Sequence, residues 1–474
     1  MRKIHLIGLL AAAVLSACGG GNDVSVGAAP PPATPTTPTV PVDPVVVKPS
    51  FGAQISFGDS LSDVGTYAVG TVKALGGGLF TINGDNTTLD PALTGLNWTA
   101  VLAARLKLPA PCAAQTGLDG DASLGFAVPV ENHAGCLGYA QGGARVTNPV
   151  GPSNKLTGSA LGALTVPVAT QIANHLAVSG GKFKADDMVL VMAGGNDVLF
   201  QLGALTNAAT DAATAAGGAA YLSDLVALLA AGAAYPQSAA QAIQGAMYAE
   251  QIRPGSSQDT VTSAGIAAAA AQPGNTAVGN AAVWGPMVEQ AKAYATAAGA
   301  AAAADYVGAH ASELVTAMST AGAELAALVK DQILANGAQY VVVNNLPDVA
   351  GTPSGRANSA EIQGLIGSMV QAFNTELSNA LSGDARVLLV DAFALSQATA
   401  ANPISYGLTN VTDTACDLSP VKNPLQSSLA CTASNLIPGD VSHYAYADGV
   451  HPTPYYYALL AQHVAEKMAQ RGWL

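Results

Sequence analysis

Short runs of β-branched and aliphatic residues punctuate the chain at 54–57, 188–192, Tyr340–Asn344 and 386–390, with a weaker one at 137–140. Most of the stretches between them carry apolar residues at helical spacing. Over 312–334, Leu314, Met318, Leu325, Leu328 and Ile333 fall near one face, and Asn336-Gly337 offers a C-cap. Ala360–Leu381 follows Asn358, with Glu361 three residues later, the spacing of a capping box. A last helix is expected over 454–471. Nearly continuous apolar strands alternating with helices predict an α/β fold with a parallel sheet covered on both faces.

The pattern changes over about 202–304, where Ala and Gly dominate and Tyr235-Pro236, Arg253-Pro254-Gly255 and Gln272-Pro273-Gly274 interrupt. This predicts several short helices inserted into the sheet domain. The insertion leaves the chain just after the run at 188–192, the third when the weaker one is counted, so it is expected to begin beside the carboxyl end of the sheet and to form a cap there.

At the amino terminus, Arg2 and Lys3 precede an apolar stretch, 4–14, and the small-residue site Leu15-Ser16-Ala17, the layout of an export signal over 1–17. Leu-Ser-Ala-Cys18 resembles a bacterial lipobox, which implies lipidation of Cys18. With Gly19 next, the likeness to bacterial lipoproteins implies an outer-membrane anchor. Residues 18–52 are rich in Gly, Pro and Thr and cannot bury a core, so they are expected to tether the globular part, 53–474. Beyond the signal, no stretch is expected to combine the length and the Leu, Ile and Phe content that bilayer insertion needs.

Composition narrows the function. Half the residues are hydrophobic and a tenth are charged, with 18 Lys+Arg against 31 Asp+Glu, a formal charge of −13. That balance argues against nucleic acid or an anionic bilayer surface as the main partner. Of five cysteines, Cys18 is the odd one. The other four stand as Cys112 near Cys136 and Cys416 near Cys431, which suggests two disulfides. Local pairing is the simplest of the three connectivities and would stabilise by about 3 kcal/mol per loop. No His-Glu-x-x-His, Cys-x-x-Cys, Walker or Rossmann pattern occurs, and no Gly-x-Ser-x-Gly, so no metal or cofactor is implied.

Four short blocks carry candidate chemistry. The first strand runs into Phe57-Gly58-Asp59-Ser60-Leu61-Ser62-Asp63, which puts a serine at the carboxyl end of the sheet and, on the expected pattern, before a helix. Tyr139-Ala140-Gln141-Gly142-Gly143-Ala144-Arg145 offers a glycine turn, and Ala193-Gly194-Gly195-Asn196-Asp197 an asparagine after a strand. Asp448-Gly449-Val450-His451-Pro452 sets a carboxylate three residues from an imidazole, close enough to orient it. Each block alone is a common turn.

In their joint order these blocks closely resemble those of the GDSL, or SGNH, hydrolase family. Asn345-Leu346-Pro347-Asp348-Val349-Ala350-Gly351-Thr352-Pro353 looks like that family's post-strand segment, and Asn83-Gly84 with 97–103 like its loop-and-helix region. The resemblance spans about residue 53 to the end, apart from the Ala-rich insertion. One departure is Thr66 after Gly65, where many relatives carry Asn. The resemblance implies a flavodoxin-like three-layer α/β/α sandwich and a serine ester hydrolase acting on acyl esters. It implies Ser60 as nucleophile, His451 as base and Asp448 as its orienting carboxylate, with the oxyanion held by Ser60 and Gly143 N–H groups and the Asn196 amide. A carbohydrate acetylesterase and a non-catalytic surface-binding lipoprotein are the alternatives. Membrane contact is expected only through the lipid anchor. His443, eight residues before His451, is expected to be structural because it lacks the Asp-x-x-His-Pro setting.

Overall fold

The structure, a computed structural model, describes residues 50–474. The export signal, Cys18 and the tether as far as residue 49 lie outside the described residues.

Four parallel strands form the central sheet: β1 (Ala53–Gly58), β2 (Asp187–Met192), β3 (Tyr340–Asn344) and β4 (Val387–Val390), side by side in that order. Gly58 lies beside Met192, Val191 beside Val343, and Asn344 beside Val390, so the carboxyl ends share one edge. The weaker run at 137–140 forms no strand. It reaches β1 through one parallel bridge at Gly138, with Ser56 N–H donating to the Leu137 carbonyl at 3.1 Å and Tyr139 N–H to the Ser56 carbonyl at 2.8 Å. Gly138 also bridges Ala113, so this segment is shared between two neighbours and extends along neither.

The longer helices are α1 (Trp98–Arg105), α2 (Val168–Val178), α3 (Gly195–Ala230), α4 (Pro236–Gln251) and α5 (Gln258–Ala270). They are followed by α6 (Ala281–Leu328), α7 (Ala360–Leu381), α8 (Ala392–Ala401) and α9 (Pro454–Gln470). The two-residue period of the strands sends alternate side chains to opposite faces. Met188, Leu190, Met192 and Val342 pack with Trp98 and Leu102 of α1 and with Tyr457, Leu460 and Val464 of α9. On the other face, Phe57 meets the His175 ring of α2 at 5.9 Å. Helices thus cover both faces, as the apolar runs predict.

Chain contacts separate Gly203–Ser312 from the sheet-bearing remainder as a second compact unit. Its core joins Tyr221, Leu225 and Leu229 of α3 to Ile243 and Met247 of α4 and Val261 of α5. The expected breaks occur at Pro236, Pro254 and Pro273, but the segments between are not all short: α3 has 36 residues and α6 has 48. Alanine is the strongest helix former, so isolated glycines do not stop these helices. The helix expected over 312–334 is the end of α6, closed by a π turn at Val329–Leu334. The cap of α7 also differs from expectation: Ser359, not Asn358, accepts from the Ile362 N–H.

By length and composition alone α3 is apolar enough to cross a membrane, with a mean hydropathy of 1.4, against the expectation that no such segment follows the signal. Alanine scores as apolar while contributing little of the insertion energy that Leu, Ile or Phe supplies, so the two criteria part company here.

The four remaining cysteines pair locally, Cys112 with Cys136 and Cys416 with Cys431. Two disulfides fit an oxidising, exported compartment.

Candidate active site

Ser60, His451 and Asp448 stand in one hydrogen-bonded line, although Ser60 and His451 are 391 residues apart. The Ser60 Oγ lies 2.9 Å from His451 Nε2, and His451 Nδ1 lies 2.8 Å from each oxygen of Asp448. An ionised carboxylate only accepts, so Nδ1 carries the proton and Nε2 is left to accept from the serine hydroxyl. Asp448 is buried. Burial alone would raise its pKa, but His451 and the hydrogen bonds around it outweigh that and hold the carboxyl well below the usual range. Its Oδ1 accepts from the Val450 and His451 N–H groups, at 3.0 and 2.9 Å, and its Oδ2 from the Ser428 N–H at 2.7 Å. Phe80 lies over the imidazole, ring centres 4.9 Å apart.

Ser60 does not open a helix. It sits in a tight turn in which Ser62 N–H donates to the Asp59 carbonyl at 3.0 Å and Leu61 N–H to Asp59 Oδ1 at 3.1 Å, and the next helix, Gly70–Ala74, starts ten residues on. The serine expected just before a helix therefore lies in a turn that no helix start directly follows. The Ser60 N–H and the N–H of Gly143 donate to no protein acceptor among the described residues. Gly143 has φ +78°, and a Cβ there would fall on the Pro152 carbonyl oxygen, so the turn admits only glycine. Asn196, in the first turn of α3, donates one amide N–H to the Ala144 carbonyl at 2.9 Å, which leaves the other available.

Several residues that sequence reasoning did not assign hold these parts together. Asp63 Oδ1 accepts from the Gly65 and Thr66 N–H groups, and its Oδ2 from the Gly142 N–H at 2.8 Å, which ties the serine loop to the glycine turn. Gln171 of α2 pairs its amide with both main-chain groups of Gly58, each at 2.8 Å, and so fixes the strand end just before Asp59. Asn97 and Trp98 at the start of α1 donate to the Asp63 carbonyl and to Ser62 Oγ. Arg145 and Asp197 form a buried ion pair at 2.8 Å. The sequence signal for these roles is that Asp63, Arg145 and Asp197 lie inside the four blocks and Asn97 and Trp98 inside the stretch 97–103, whereas nothing marks Gln171.

Ser60, Gly143, Asn196 and His451 line one cleft of about 440 Å³, all of whose lining residues belong to the sheet-bearing unit. Its walls are mainly apolar, with Phe80, Leu124, Phe126, Leu161, Leu199, Leu346 and Leu425 among them. Asp59 lines the same cleft. Its burial pushes the carboxyl up to about 7, although the Leu61 N–H and a charged His451 pull the other way. Burial likewise pushes Asp63 up to about 6.

The competing histidines are engaged elsewhere. His443 Nδ1 meets the Gly407 carbonyl at 2.7 Å and its ring stacks on Tyr455, while His175 is packed between Phe57, Tyr139 and Phe183. Among the described residues, no group of three or more His, Cys, Asp or Glu side chains is arranged to hold a metal ion. Neither a protein-family model nor a curated protein matches this chain.

Proposed function

We propose that the protein is an exported serine ester hydrolase of the GDSL, or SGNH, type that cleaves acyl esters through an acyl-enzyme intermediate. The observation that carries this function is the Ser60–His451–Asp448 relay opening into an apolar cleft. Ser60 Oγ attacks the acyl carbonyl while His451 Nε2 takes its proton. The Ser60 and Gly143 N–H groups and the free Asn196 amide N–H stabilise the oxyanion. The same imidazole, as imidazolium, protonates the leaving alcohol. It then draws a proton from water as the water oxygen attacks the acyl carbonyl, and returns that proton to Ser60 Oγ as the acyl–Oγ bond breaks and the acid leaves. Asp448 holds the imidazole in the required tautomer.

Sheet order supports the flavodoxin-like type. Counting the bridge at Gly138 as a rudimentary second strand, the spatial order is 2-1-3-4-5, whose switch point lies at the end of the first strand, where Ser60 sits. The apolar cleft favours an aliphatic acyl chain over a sugar ring held by aromatic stacking. The Leu-Ser-Ala-Cys18 sequence and the two disulfides support export with a lipid anchor at Cys18, in the outer membrane.

The test is hydrolysis of p-nitrophenyl esters of graded acyl length by purified protein, with labelling of Ser60 by a fluorophosphonate. Ser60→Ala is expected to abolish both while leaving the fold unchanged, and full activity in that variant overturns the proposal. Until the cleft is filled, kcat/KM is expected to rise by up to about fourfold per methylene. A preference for acetate would instead favour a carbohydrate acetylesterase.

A further inference from the structure

Two of the three main-chain donors to Asp448, the N–H groups of Val450 and His451, belong to its own turn and move whenever that turn moves. The third is different. Ser428 N–H reaches Oδ2 at 2.7 Å from a separate segment, the short helical turn Ser428–Ala430. That segment is pinned from behind by Asn83, which is 4% exposed. The Asn83 amide nitrogen lies 3.0 Å from both the Ser428 and the Cys431 carbonyls, and the Asn83 N–H donates to the Cys431 carbonyl at 2.7 Å. Cys431 is itself tied to Cys416. A continuous chain of contacts therefore runs from the disulfide through Asn83 and Ser428 to Asp448.

We infer that Asn83 and Ser428 are positioning residues: together they form a clamp, closed by the Cys416–Cys431 disulfide, that keeps the Asp448 carboxylate aimed at His451 Nδ1. The inference rests on the ester-hydrolase function proposed above. Its physical basis is that a carboxylate held only by its own turn can pivot about its side-chain bonds, whereas a donor from an independently anchored segment fixes which oxygen faces the imidazole. The Ser428 hydroxyl completes no hydrogen bond of normal geometry, so the clamp acts through the main chain.

That dependence on one N–H gives a test, Ser428→Pro, with Ser428→Ala as the control that removes the hydroxyl alone. Ser428 is the first residue of its helical turn, where proline is tolerated, and Ser427 before it is already extended at φ −144°, ψ 150°, as a residue preceding proline must be. The substitution removes the N–H and the hydroxyl and sets the ring Cδ toward Asp448 Oδ2, so the carboxylate loses its donor and is pushed from its bonded position, whereas Ser428→Ala is expected to keep both kcat and the downfield proton. In the full chain Ser428→Pro is expected to lower kcat for a p-nitrophenyl ester by about 10- to 100-fold, the cost of a lost hydrogen bond to a charged group. KM should change much less than kcat, because Ser428 itself does not line the cleft, although its neighbours Ser427 and Leu429 do. The far-downfield proton resonance of His451 Nδ1–H, which reads its bond to Asp448 directly, is expected to weaken or move upfield. Should Ser428→Pro fail to fold, Asn83→Ala loosens the same clamp from behind and is expected to give the same two changes. A folded Ser428→Pro or Asn83→Ala variant that keeps both kcat and the downfield proton overturns the clamp. A wild type that hydrolyses no ester, paired with a Ser428→Pro variant that loses the proton, overturns the ester-hydrolase function and leaves the clamp standing.

Discussion

At the scale of single residues, burial drives the carboxyls near Ser60 in a direction opposite to Asp448. Asp59 has a folded pKa of about 7 against an ordinary 3.8, because burial penalises its charge. Its contribution to stability is complete below pH about 4 and is lost as pH rises through about 7. Asp448 has the reverse sign: its pKa is lowered, so its contribution is present above its ordinary value and is lost on acidification. Asp59→Asn keeps an oxygen for the Leu61 N–H and removes the titration. Between pH 5 and pH 8 this variant is expected to gain about 2 to 3 kcal/mol on the wild type. Urea unfolding at the two pH values measures that difference, and a pH-independent difference would contradict it.

At the scale of elements, the site depends on how the glycine turn 142–145 is joined to the first turn of α3. Arg145 Nε bonds Asp197 Oδ1 at 2.8 Å, Val146 N–H bonds Asp197 Oδ2 at 3.1 Å, and Asn196 bonds the Ala144 carbonyl. Burial still pushes the Asp197 carboxyl up, with Arg145 pulling against it. Removing one partner strands a buried charge, so Asp197→Ala is expected to cost about 3 to 5 kcal/mol of stability. Because Asn196 and Gly143 sit on the two joined elements, kcat should fall with it. Chemical unfolding and ester turnover on the same preparation check both parts, and a loss of stability without any loss of kcat would show that the junction is structural alone.

At the scale of the whole molecule, the helical unit Gly203–Ser312 has its own core. Ile243 is fully buried in that core. Ile243→Ala is expected to destabilise the unit by about 2 to 5 kcal/mol, seen as faster hydrogen exchange within 203–312. Fluorophosphonate labelling of Ser60 should stay close to the wild-type rate. A large fall in labelling would assign the helical unit a part in building the site.

Local pattern alone determined the four strands of the central sheet and the helices over 360–381 and 454–470, where proline and glycine interrupt the Ala-rich region, and which short blocks carry a serine, a glycine turn, an asparagine and an Asp-x-x-His pair. These follow from side-chain periodicity, backbone stereochemistry and residue chemistry, all properties of neighbours in the chain. Only the tertiary structure decided the rest. It brought His451 to Ser60, merged 312–334 into the long α6, reduced 137–140 to one bridge, and set Ser60 in a turn away from any helix start. It also put Asn83 and Ser428 behind Asp448 and raised the pKa of Asp59. The reason is physical: periodicity says which face of an element is buried, but not against what. Hydrogen-bond partners and desolvation depend on segments that are remote in sequence.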